Sequence, residues 1–201
     1  MGSLNDIIGD LKVILRKATA KPRSDDEIMS FSLLVERNAH SYPHDSAILF
    51  EDKILSWKEL NEQSNRVANY LKSLGISSGD CVSLFMQNRI EFVVNVVAIC
   101  KLGAIAGLIN TNLTKQPLIH CINLVNSKKC IFGTELSEAL EEVIAHLKLR
   151  DKLDYLCVTD NEESEIPEWA TKLDSRNASM DGTTPPAVSY THLTLPTNRE
   201  V

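Results

Sequence analysis

The 201-residue sequence has no run rich in lysine or arginine. Its 21 basic residues stand against 27 acidic ones, for a formal charge of −6 and a pI near 5.4. A surface that neutralises nucleic-acid phosphates needs the opposite balance, so nucleic acid is excluded as a partner. CxxC spacing is absent as well. The five cysteines, Cys81, Cys100, Cys121, Cys130 and Cys157, are odd in number and mostly lie in apolar runs, the pattern of buried free thiols in a reducing compartment. No apolar run is long and clean enough for a spanning helix, which needs about 20 residues with few or no charges. The longest, 92–109, carries Asn95 and Lys101 in its middle, and a central lysine costs about 3 kcal/mol on insertion. A buried helix ending near Gly103, followed by a buried strand, accounts for the same letters. No secretory leader is expected in the first residues, because Asp6 and Asp10 interrupt their apolar positions. A cytoplasmic protein is therefore expected. With no repeat of roughly 20–50 residues, a solenoid is excluded.

What is present is globular: 43% apolar and 24% charged residues suit a packed domain rather than a disordered chain. Leu4, Ile7, Ile8, Leu11, Ile14 and Leu15 have helical spacing, which makes residues 1–24 an amphipathic segment. Its polar face mixes both charge signs, so it suits docking on its own domain, with peripheral membrane contact as the alternative. A helix is expected over 25–38, starting at acidic residues, then a hairpin of Ala47–Phe50 and Ile54–Ser56 around Glu51 and Asp52. Leu60, Val67, Leu71 and Leu74 form one stripe of a helix that Gly75 ends in a left-handed cap. Four strands, 81–86, 104–109, 129–132 and 155–159, then alternate with helices over 89–102, 114–125 and 135–147. Thr114 is placed to cap the second of these, whose first turn tolerates Pro117. This alternation is the βαβ signature of a parallel sheet flanked by helices, so the fold class is α/β. From Asp160 the chain turns acidic and then rich in Ser, Asn, Gly and Pro, and 161–187 is expected to be loop or disordered.

The search for chemistry finds no catalytic, cofactor-binding or metal-ligating residue in this chain. No strand is followed by GxGxxG, and GxxxxGK[ST] does not occur. Gly103 and Gly107 sit in apolar sequence and read as structural. His40 and His44 have zinc-like spacing, but Pro43 lies between them and no Cys or carboxylate pair completes a site. His120 adjoins Cys121, yet neighbours on a helix point apart. Glu135, Glu138, Glu141 and Glu142 read as the solvated face of one helix.

A family likeness does emerge once these elements are in place. Leu55-Ser56-Trp57-Lys58-Glu59-Leu60, followed by Asn65-Arg66-Val67-Ala68 and by Gly75 and Gly79-Asp80-Cys81-Val82, resembles the opening core motif of adenylate-forming enzymes. Lys101-Leu102-Gly103-Ala104 resembles their second core motif. Ile109–Leu113, Leu118–Cys121 and Ile131–Gly133 look most like the fatty-acid transport proteins and very-long-chain acyl-CoA synthetases. The likeness covers about 25–160, which is taken as a truncated AMP-binding N-terminal domain.

The resemblance implies a fold and a reaction. The family uses MgATP to convert a fatty acid to an acyl-adenylate, then passes the acyl group to the thiol of coenzyme A. ATP, Mg²⁺, coenzyme A and a fatty acid are thus the expected cofactors and partner of an intact parent. The family's phosphate loop has the form Tyr-Thr-Ser-Gly-Thr-Thr-Gly-x-Pro-Lys. Here the same region reads Tyr190-Thr191-His192-Leu193-Thr194-Leu195-Pro196-Thr197, without either glycine or the lysine. His192 and Leu193 bring bulk where backbone must approach phosphate. Residues 188–201 resemble translated sequencing-adapter read-through and are expected to be a non-native tail. The expectation is an N-terminal piece, inactive alone; the alternative is a naturally short, non-catalytic lipid- or protein-binding module.

Overall fold

A computed structural model describes residues 30–159, 164–175 and 181–185. The amphipathic segment 1–24 and the tail 188–201 lie outside the described residues. Helix α1 spans Phe31–Ser41 and is capped by Ser30, whose Oγ accepts from the Leu33 N–H at 3.1 Å. The helix therefore begins later than the acidic residues at 25–27 suggested, with Ser30 answering its first free N–H groups. Strands β1 (Ser46–Phe50) and β2 (Lys53–Ser56) form the expected antiparallel hairpin, with Glu51 at positive φ in the turn.

Helix α2, Trp57–Ser73, starts in a complete capping box. Ser56 Oγ accepts from the Glu59 N–H, and the Glu59 carboxylate accepts from the Ser56 N–H at 2.9 Å. The hydroxyl-aromatic-x-Glu-Leu motif is thus a device for starting a helix, worth about 1 kcal/mol. The helix stops where Gly75 takes φ 85°, which a side chain would resist.

A second sheet follows with β3 (Cys81–Phe85), α3 (Ile90–Lys101), β4 (Ile105–Leu108), α4 (Lys115–Leu124), β5 (Lys129–Gly133), α5 (Ser137–Glu141), β6 (Tyr155–Val158) and β7 (Thr171–Lys172). The strand order is β4-β3-β5-β6-β7, every pair parallel. One core cluster joins α1, α2 and α3 to one face of this sheet through Leu60, Val67, Leu71, Val94, Val97 and Ile131. The other packs Phe85, Leu118, Ile122, Phe132, Leu140 and Leu147 on the opposite face. Helices cover both faces, as a parallel sheet requires.

Several expectations change. The strand expected to be buried at 104–109 is the edge strand β4 among the described residues, with Ile105 and Leu108 57% and 59% exposed. The single helix expected over 135–147 breaks into 3₁₀ turns around the short α5. Its apolar stripe stays buried, but Glu138 faces Glu141 and Glu142 at i+3 and i+4, where like charges weaken a helix. Thr114 precedes α4 without making a side-chain cap bond. Only Cys130 and Cys157 are fully buried; Cys81, Cys100 and Cys121 are half-buried, and all five are free thiols. Within the stretch expected to be loop, β7 adds to the sheet edge, and Trp169 stacks on Phe132 with ring centroids 5.1 Å apart.

Candidate functional site

In an open α/β sheet, ligands bind beyond the carboxyl ends of the strands, where the strand order reverses. Here the chain passes from β3 to β4 on one side and then returns to β5 on the other. The crevice lies between the ends of β3 and β5, and a cleft of about 250 Å³ opens there. Its sides are the hairpin residues Phe50 and Lys53, the 87–91 turn and Glu135.

The crevice is crossed by an ion pair. Arg89 Nη1 donates to Glu135 Oε2 at 3.2 Å, Nη2 donates to the Val158 carbonyl at 3.0 Å, and Nε lies 3.7 Å from Glu91. Glu135 Oε1 accepts from the Gln87 N–H at 2.8 Å. Arg89 and Glu135 therefore tie together the ends of β3, β5 and β6. Glu135 folds back over Gly133, where a Cβ would collide with its carboxylate. The solvated-face reading holds for Glu138, Glu141 and Glu142, which are exposed, but not for Glu135. Nothing in the letters around Glu135 distinguishes it from the other three; the glycine two residues earlier is the one local signal.

The second core motif is equally architectural. Lys101 Nζ donates to Glu36 Oε1 at 2.6 Å and to Asn61 Oδ1 at 2.9 Å, joining α1, α2 and α3. Burial holds the Lys101 pKa below the usual lysine value, although the Glu36 hydrogen bond acts the other way. Gly103 takes φ 67° and its carbonyl accepts from the Gly79 N–H at 2.9 Å. Asp80 binds Lys128 and Ser77, which pulls its pKa down to about 2.

Other flagged side chains do not converge. His40 ends α1 and His44 lies beyond Pro43; His120 is exposed on α4. Among the described residues, no three His, Cys, Asp or Glu side chains are grouped to hold a metal ion. Burial raises the pKa of Cys130 and of Cys157 to about 12, which keeps both thiols protonated and inert. No helix of the described residues is long and apolar enough to cross a membrane.

The geometry is that of a doubly wound α/β domain whose two core motifs build its frame. Its residues 35–193 match the model of the AMP-binding enzyme family, and the chain belongs to that family. The chain is 37% identical over 111 residues to long-chain fatty acid transport protein 2 of Rattus norvegicus, covering 55% of this chain and 18% of that protein. It is 30% identical over 176 residues to the medium/long-chain-fatty-acid–CoA ligase FadD6 of Mycobacterium tuberculosis, covering 86% of this chain and 29% of the relative. A fatty acyl CoA synthetase of Mycobacterium tuberculosis shares the fold, with a TM-score of 0.64 at 24% identity over 79% of this chain and 30% of that one. The chain thus spans less than a third of the length of each of these proteins.

Proposed function

We propose that this chain is the N-terminal part of an ATP-dependent ligase that joins a long- or very-long-chain fatty acid to coenzyme A, and that it has no adenylating activity alone. What supports the substrate class most is the similarity over 86% of the chain to a ligase named for medium- and long-chain fatty acids. In that reaction class the fatty carboxylate attacks the α-phosphorus of MgATP, pyrophosphate leaves, and the coenzyme A thiol then displaces AMP from the acyl-adenylate.

The described residues do not fit MgATP. A nucleoside triphosphate needs free backbone N–H groups and cations at the strand ends. At the crevice the Gln87 N–H and the Arg89 guanidinium are both engaged by Glu135. What these residues do is hold three strand ends and three helices in register. The nucleotide-holding groups belong, on this reading, to sequence beyond this chain. A cytoplasmic location and peripheral membrane contact through residues 4–17 go with it; liposome binding unchanged after deleting that segment removes the membrane part.

The test is the source DNA, read with long reads outward from the codon for Trp169. A frame that continues into a Gly-rich Thr/Ser loop ending in Pro-Lys supports the ligase. A genuine stop after Val201 overturns it in favour of a binding module.

A further inference from the structure

Where α1 ends and α2 begins, another cavity of about 300 Å³ opens, at the far end of the hairpin from the crevice. It is lined by Asn38 and Tyr42 from the end of α1, Asp45 and Ser46 from the turn that leads into β1, and Trp57, the first residue of α2. Aromatic residues make up 5% of the chain, yet two of these five are aromatic. One is a carboxylate, and no Lys, Arg or His lines the cavity. Backbone hydrogen bonds hold its walls. The Asp45 N–H donates to the Tyr42 carbonyl, the Trp57 N–H to the Asp45 carbonyl and the Lys58 N–H to the Pro43 carbonyl, each at 3.1 Å. The turn is thereby locked onto the start of α2, and Trp57 also packs against the first core cluster.

Every electrostatic feature of this cavity has the same sign. The faces of aromatic rings carry negative potential and attract cations, Trp most strongly. The Asp45 carboxylate adds a full charge, and it makes no hydrogen bond or ion pair with a side chain among the described residues. The carboxyl end of α1, an 11-residue helix that finishes beside the cavity, contributes the negative end of its dipole. Ring-to-ring contacts among the described residues are confined to Trp169, so Tyr42 and Trp57 do not fill the space by stacking on each other. A metal ion is a poor match, because one carboxylate stands alone and no three ligating side chains are grouped among the described residues. A weakly hydrated organic cation suits the rings better, since its methyl groups pack on them while its charge faces the carboxylate.

We propose that the cavity between Tyr42, Asp45 and Trp57 binds a trimethylammonium group, with the two rings against its methyl groups and the Asp45 carboxylate balancing its charge. A soluble choline-type molecule and the headgroup of a phosphatidylcholine membrane both carry this group. The site does not depend on the proposed ligase reaction, whose crevice lies at the other end of the hairpin.

The test titrates the full 201-residue chain with choline chloride and, at equal ionic strength, with the neutral alcohol in which carbon replaces the choline nitrogen. The two probes share a shape and differ in charge. The reading is the indole N–H resonance of Trp57, told from that of Trp169 by its loss in Trp57→Phe. Choline should move that resonance saturably and the alcohol should not. Asp45→Asn, which keeps the shape and removes the charge, should weaken choline binding about fivefold; Tyr42→Leu should weaken it about threefold. No saturable shift with choline, or equal shifts with choline and the alcohol, overturns the proposal. Unchanged choline affinity in Asp45→Asn overturns it as well. Sedimentation with phosphatidylcholine vesicles then separates the two sources. A chain that pellets and is released by free choline takes the lipid headgroup; one that stays in solution while still binding choline takes a soluble molecule.

Discussion

Lys101 and Glu36 meet at 2.6 Å where α3 crosses α1, the lysine side chain 1% exposed and the glutamate 30%. The lysine of the second core motif therefore works as a three-helix fastener. Replacing one member of such a pair strands the other in a poorly solvated place, at a cost of about 3 kcal/mol. Lys101→Ala is expected to lower the unfolding free energy from urea titration by that much, and the paired change Lys101→Met with Glu36→Leu by clearly less. Equal losses for the single and double variants would remove the ion pair as the cause.

Asp80 ties the turn before β3 to Lys128 at 2.7 Å, ahead of β5. Its folded pKa of about 2 lies below the ordinary carboxylate value of 3.8. The unfolded chain thus takes up the proton first as pH falls, so the stability Asp80 contributes is whole above 3.8 and disappears toward 2. Thermal melts between pH 5 and pH 2.5 should fall more steeply for the native chain than for Asp80→Asn. Parallel slopes would show that Asp80 titrates alike in both states.

A Cβ at Gly133 would meet the carboxylate end of the flexible Glu135 side chain, so the cost of adding one lies in the hydrogen bonds that Glu135 makes to Gln87 and Arg89. Gly133→Ala must push that carboxylate off Gln87 and Arg89, costing about 1–3 kcal/mol. In an Glu135→Ala background most of that cost should vanish, a coupling that a double-mutant cycle measures directly. Additive losses would contradict the account.

Thiol reactivity separates the cysteines by burial. Under native conditions at pH 8, N-ethylmaleimide should leave Cys130 and Cys157 unmodified, since burial holds both pKa values near 12. Half-buried Cys121 should react ahead of them. Mapping the adducts by mass spectrometry checks the order, and early labelling of Cys130 would show that β5 opens readily.

Local signals told most of the fold in advance. Gly75 and Gly103 mark the stops of α2 and α3, and the strand-helix alternation dictates a parallel sheet; the Ser56–Glu59 capping box was spelled in the sequence but went unread beneath the family motif. The exposure of β4 was hidden because Ala104–Ile109 is as apolar as a central strand, while edge position depends on the order in which strands assemble. Strand β7 escaped notice because two residues are too few to show a strand period. Glu135 looked like its exposed neighbours because its partner, Arg89, is 46 residues away. The crevice itself is a property of strand order, which no local pattern encodes.

The most direct measurement of the central claim is fatty-acid-dependent ATP–pyrophosphate exchange by the purified 201-residue chain, tested with long and very long acids and Mg²⁺. The account predicts no exchange above the level without acid, because Gln87 and Arg89 are committed to Glu135 and no Gly-rich, Lys-terminated loop is present in the sequence. Exchange that rises with acid concentration would contradict it, and would place an adenylating site within these residues.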